Sequence, residues 1–204
     1  MPDDAPSPLP LSDAARVRAL IEFWFGAPGT PACDEPRKVW FKPDPAFDAA
    51  LGARFGADQR RAAAGGCDHW RAACDPALAL VLLLDQLPRN LHRGRAESYG
   101  CDAAARAVAR AAIARGFDRM VLPVRRSFFY LPFEHSEDLA DQELALALYA
   151  AMPLGPHYDS GVAFARRHHA VIARFGRFPH RNRILGRVST PEEEAFLASA
   201  DAPV

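Results

Sequence analysis

The sequence predicts an all-α fold, and three observations carry that prediction. Apolar residues recur three and four apart along almost all of the 204-residue chain, the spacing of one helix face. No stretch of four or more residues alternates apolar and polar as a half-buried strand does. Helix start signals, a Ser, Thr or Asp beside proline or just ahead of acids, recur between the periodic stretches. A chain of this length suits one well-buried core, so a single helical domain over 12–204 is expected, preceded by a flexible, acidic and proline-rich N-terminus over 1–11.

Taken in order, Ser12 is placed to cap a first helix whose Val17, Leu20, Ile21 and Trp24 share a face, with Gly26 as its stop. Asp44-Pro45 and Asp75-Pro76 each read as a cap followed by proline at the first helical position, where a missing N–H costs nothing. The helix from Asp44 carries Phe47, Leu51 and Phe55 four apart and ends near Gly65-Gly66. The helix from Asp75, PALALVLLLDQL, is apolar all round until Asp85 and belongs in the core, with Pro88 as its expected stop. Asp102 reads as the cap of an alanine-rich helix to about Arg115, closed by Gly116 in a left-handed turn. A short helix over Val124 to Tyr130 is broken by Pro132, and Ser136 caps the next one. Ser160 caps a helix to Phe175, and Thr190-Pro191-Glu192-Glu193 is a capping box that opens a last short helix. The total is seven or eight helices packed as antiparallel hairpins, with no repeat of fixed period in the letters.

Composition removes several function classes. Twenty-five acids balance 25 bases, so the bulk field gives no reason to bind nucleic acid or an anionic membrane. The longest apolar run, Ala77 to Leu84, is under half of the roughly 20 residues that a membrane helix needs. MPDDAPSPLPLSD lacks the basic start and apolar stretch of a signal peptide, so a cytoplasmic location is expected. There Cys33, Cys67, Cys74 and Cys101 stay reduced. GAPG lacks the lysine and the strand-to-helix setting of a phosphate cradle. No other motif calls for a cofactor, and nothing in the letters sets an oligomeric state.

Charge is concentrated locally. LPFEHSEDLADQELALAL, residues 131–148, holds Glu134, Glu137, Asp138, Asp141 and Glu143 beside His135. Acids in a first helical turn meet the positive end of the helix dipole, which accounts for some of them. The rest face a mirror-image segment. From Ser160 to Pro191 there is no acid, but there are seven arginines, with His168, His169 and His180. Phe164, His168, Ile172 and Phe175 lie on one helix face, so His168 is expected to point inward and find a polar partner. The two segments should pack together, with Arg177 or Arg181 forking onto Glu134, Asp138 or Asp141. A third polar knot, DQLPRN, joins them from the end of the most buried helix.

DQLPRN, LPFEHSEDLADQ and ARFGRFPHRN, in this order and with EFWFG ahead of them, closely resemble the signature segments of the bacterial domain of unknown function 924 family. The resemblance runs from about Ser12 to Leu197. Leu87 stands where phenylalanine is expected, a difference of packing. The resemblance implies an all-helical, tetratricopeptide-like fold and supplies no activity. Its motifs fall on Asp85, Gln86, Arg89 and Asn90; on Glu134, His135, Glu137, Asp138, Asp141 and Gln142; and on Arg177, His180, Arg181 and Asn182.

Three readings of that cluster follow. As a structural network, it fixes how three helices meet. As a binding site, Asp85, Arg89, Asn90, Glu134, His135, Asp138, Asp141, Gln142, Arg177, His180, Arg181 and Asn182 surround a small anionic molecule or a peptide carboxylate. As an enzyme, Glu134 with His135 or His180 supplies acid and base, and the acids beside His135 are expected to raise its pKa. Neighbouring residues on a helix diverge by about 100°, so Glu134 and His135 share a substrate only if Pro132 turns them together. No metal is expected: no Glu-x-x-His or His-x-x-x-His pair is present, and Cys67-Asp68-His69 with Cys74 lacks a second close pair.

Overall fold

The computed structural model describes residues 12–31 and 33–199; the N-terminus over 1–11 lies outside them. Among the described residues there are nine α-helical segments and no strand: α1 Asp13–Phe25, α2 Pro45–Ala63, α3 Cys74–Val81, α4 Leu87–Leu91, α5 Asp102–Ala114, α6 Pro123–Glu134, α7 Leu139–Ala150, α8 Pro156–Phe175 and α9 Pro191–Leu197. A π turn, Leu82–Gln86, joins α3 and α4 into one rod, which makes eight helices among the described residues. The fold is an all-α single domain.

The local chemistry behind the first helices is as expected. Ser12 caps α1 by accepting from the Ala15 N–H, and Asp44 caps α2 by accepting from Phe47 N–H ahead of Pro45. The whole α3 rod from Ala77 to Leu87 is buried, and it packs on α1, α2, α5 and α6. One core cluster runs from Val17 to Ala165, with Trp24, Phe25 and Trp40 around Phe128. Phe41 stacks on the same ring from outside, 63% exposed. α6, α7 and α8 pack on one another and against it, and Val171, Ile172 and Phe178 form a small second cluster under α9. No helix among the described residues is long and apolar enough to cross a membrane.

Several boundaries differ from expectation for physical reasons. Pro88 does not stop the helix. The backbone widens into the π turn, where Leu87 N–H reaches Leu82 O, and continues to Leu91. Arg89 folds back to donate to the Asp85 carbonyl at 2.8 Å. Pro132 sits inside α6 without ending it. Asp138, not Ser136, caps α7, accepting from Ala140 N–H, while Ser136 Oγ accepts from Asp138 N–H and donates to Asp141. Ser160 lies within α8, and Ala73 and Cys101 stand at the N-caps where Asp75 and Asp102 were expected. Thr190 forms the complete capping box with Glu193. Gly116 takes the left-handed conformation after α5, φ 73°.

Candidate functional site

The ends of four helical elements meet around a cavity of about 350 Å³. The turn Ala96–Tyr99 supplies Tyr99, the first turns of α5 supply Asp102 and Arg106, the α6–α7 junction supplies His135 and Glu137, and the turn Pro179–Arg181 supplies Arg181.

One wall is an oriented imidazole. Asp85, fully buried in the π turn, accepts from His135 Nδ1 at 2.8 Å and from Gln86 Nε2 at 2.6 Å, with Arg89 Nη1 at 3.2 Å. Burial pushes the Asp85 carboxyl up. The charges of Arg89 and His135 and two hydrogen bonds overcome it, leaving it well below the usual carboxylate range. His135 itself is held below its ordinary pKa, first by burial and then by the Arg89 charge, which outweigh Asp85. The expectation of a raised value is therefore overturned: sequence neighbours are not the groups that face the ring.

The wall carboxylates already have owners. Arg89 clamps Asp102 with bonds of 2.8 and 3.0 Å, and Arg187 clamps Glu137 at 2.6 and 2.9 Å, with Phe178 N–H adding a third bond to Glu137. Two wall arginines are treated differently. Arg181 is 6% exposed, lies over the rings of Tyr99 (4.5 Å) and Phe178 (4.4 Å), and comes no nearer than 3.7 Å to Asp102. It makes no side-chain hydrogen bond among the described residues, and its Nε is buried without a partner. Burial and the positive charge of Arg89 lower its pKa from the ordinary value, yet a guanidinium stays charged. Arg106 approaches Asp141 at 3.3 Å without a well-formed hydrogen bond, because Arg110 (2.5 Å) and Ser136 (2.8 Å) hold that carboxylate.

Of the twelve expected site residues, His135 and Arg181 line the cavity, and Asp85 and Arg89 stand directly behind it. The others do separate work. Asn90 donates to Asp48 on α2, and Asp138 is an exposed helix cap. Gln142 is fully buried and donates to the carbonyls of Glu134 (2.7 Å), Ser136 (2.6 Å) and Phe133 (3.4 Å), closing the end of α6. Arg177 forks onto Glu193, and Asn182 bonds Ser189, Glu193 and Arg187, so both organise the C-terminal segment and not the acids of 131–148.

Glu134 turns away from His135. It pairs with His168 Nδ1 at 3.0 Å through Oε1, while its Oε2 is buried without a hydrogen-bond partner among the described residues. Since α6 is continuous past Pro132, the two neighbours diverge as a helix dictates. His180 lies against Phe178, its pKa pushed down to about 4 by burial and by Arg181 and His168. Neither lines the cavity. Sequence reasoning missed Tyr99, Asp102 as a bridging carboxylate, Arg106 and Arg187. The signal present was Asp102 itself, an acid thirteen residues after Arg89, spent in the sequence on an N-cap it does not make. Among the described residues no group of three or more His, Cys, Asp or Glu is placed to hold a metal ion.

The family model for bacterial proteins of unknown function called DUF924 matches residues 20–201, and the chain belongs to that family. A solved structure of a protein of unknown function from Agrobacterium tumefaciens is similar, with 42% identity, 92% of this chain and 99% of that chain covered, and a TM-score of 0.80. Among curated proteins none matches the chain significantly.

Proposed function

We propose that this DUF924 chain binds a small organic anion in the cavity, with Arg181 and Arg106 as the groups that take its charge. One observation carries the reading: Arg181 is almost wholly buried, faces the cavity, and has no side-chain hydrogen bond. Buried charged groups are normally paired and bonded, and this guanidinium has only a 3.7 Å approach to Asp102 and two ring faces. A planar carboxylate matches that fork with two parallel bonds. The wall acids do not compete for the ligand's place, since Arg89 and Arg187 already hold them. At about 350 Å³ the cavity is at the small end of the roughly 300–1,000 Å³ typical of ligand pockets, which favours a metabolite over a peptide.

Acid–base chemistry narrows from three candidates to one, because Glu134 and His180 do not line the cavity and His135 does. The four unpaired thiols fit the cytoplasmic location expected of the chain.

The test is a thermal-shift screen of carboxylates, phosphates, sulfonates and short peptides with free C-termini. A ligand raises the melting point by an amount set by its concentration over its Kd. A carboxylate should do so in the wild type and not in Arg181→Met. If no anion moves the wild-type melt, the binding reading falls and a helical interaction scaffold with a structural polar network takes its place.

A further inference from the structure

The cavity lining presents two cations with donors to spare and a ring nitrogen with a lone pair to spare. Resting on the anion-binding reading above, we propose that its ligand is a hydroxy acid, the carboxylate held by Arg181 and Arg106 and the hydroxyl donating to His135 Nε2.

The lone pair follows from the geometry behind the ring. Asp85 is fixed by Gln86 at 2.6 Å and Arg89 at 3.2 Å, and its Oδ1 takes the bond from His135 Nδ1 at 2.8 Å. An ionised carboxylate only accepts, so the neutral ring carries its proton on Nδ1 and leaves Nε2 as an acceptor. Nε2 has no hydrogen-bond partner among the described residues, and the ring lines the cavity. The groups around it favour the neutral ring. Burial comes first, then the charge of Arg89, against Asp85 and Asp102.

Complementarity then selects the ligand. A guanidinium offers donors only, and the neutral imidazole offers an acceptor at Nε2. A plain carboxylate meets the arginines but leaves Nε2 unbonded or facing a second lone pair, and a plain alcohol leaves the arginines unmet. A molecule with a carboxylate and a hydroxyl a few bonds apart satisfies both, and Arg106, Arg181 and His135 line the same cavity of about 350 Å³. The same contact, Asp85 to His135 to hydroxyl, is the arrangement in which a base takes a hydroxyl proton.

Calorimetry of the full chain with three matched pairs tests this: lactate and propionate, mandelate and phenylacetate, 3-hydroxybutyrate and butyrate. At least one hydroxy acid should bind about tenfold tighter than its deoxy partner, the worth of one well-made hydrogen bond. In His135→Phe that ratio should fall towards one while the deoxy acid keeps its affinity. Pairs that bind the wild type with equal affinity overturn this inference and leave the anion site standing. If no member of any pair binds, this inference falls, and the thermal-shift screen of the wider anion set decides the anion site. The wild-type ratio decides the matter even if the variant does not fold.

Discussion

The Oδ1 of Asp85 accepts a 2.8 Å hydrogen bond from Nδ1 of His135, fifty residues on, and so ties the π turn of the most buried rod to the end of α6. Both groups are almost closed to solvent, and the carboxylate also holds Arg89.

Asp85→Asn keeps the shape and removes the charge. It leaves Arg89 with Asp102 as its remaining carboxylate, beside the Asp85 carbonyl, and unsettles the His135 tautomer. Breaking a buried pair costs about 3–5 kcal/mol, and urea unfolding should show a loss of that order. Asp68→Asn, at an exposed pair with Arg71, should stay within about 0.5 kcal/mol.

Gln142→Met should also destabilise, without touching the cavity. The amide is the donor for two carbonyls at the end of α6, at 2.7 and 2.6 Å. Each buried acceptor left unmet costs about 1–3 kcal/mol, so the total expected is roughly 2–6 kcal/mol by the same measurement.

The helices were legible because their causes are local. Ser12, Asp44 and Thr190 cap what they precede, and the apolar spacing of Val17 to Trp24 or of Phe47 to Phe55 is written within a few turns. Pro88 and Pro132 misled because tertiary packing absorbed them, one in a π turn and one inside α6. The site was legible as segments and not as pairs. The acids of 131–148 and the arginines of 166–187 do meet, through Glu137 with Arg187 and Glu134 with His168. Asp141, however, is held by Arg110 of α5, with Arg106 only approaching it, and Arg181 approaches Asp102. Which acid meets which base depends on α5 crossing between the motifs, a long-range fact with no periodicity to announce it.

Stability should fall with pH through His180. Its folded pKa, pushed down to about 4 by burial, Arg181 and His168, with Arg187 adding and Glu137 opposing, lies below that of an unfolded histidine. As pH drops below about 6.5 the unfolded chain takes the proton first. The contribution is therefore complete above about pH 6.5 and lost towards pH 4, up to roughly 3 kcal/mol. His168, raised by Glu134 against burial, runs the other way. The check is a difference: urea midpoints of His180→Phe should fall less steeply than wild type between pH 6.5 and 4.

Gly161→Ala should weaken the α7–α8 contact. A Cβ there would run into the ring of Tyr149, a buried side chain packed edge-on against Tyr130. Overpacking of this kind costs about 1–3 kcal/mol. Near-ultraviolet circular dichroism should report the displaced tyrosine alongside the lowered melting point.

The sharpest contrast is between two arginines that share Asp102. Arg89 makes four close contacts, to Asp102 twice, to the Asp85 carbonyl and to the Asp85 carboxylate. Removing it as Arg89→Met takes the guanidinium from the buried Asp85 and the bidentate clamp from the partly buried Asp102, and should cost about 3–5 kcal/mol. Arg181 has no hydrogen bond to lose, and the Arg89 charge opposes it. Arg181→Met keeps a long side chain between Tyr99 and Phe178, and sulfur–aromatic contact replaces part of the cation–π attraction. Replacing a poorly paired buried charge by an apolar group is often neutral or stabilising. The unliganded variant should therefore unfold within about 1 kcal/mol of wild type, or above it, while losing the carboxylate-induced shift in melting point. A loss as large as that of Arg89→Met would make Arg181 one more member of the structural network, and the anion site would lose the residue it rests on.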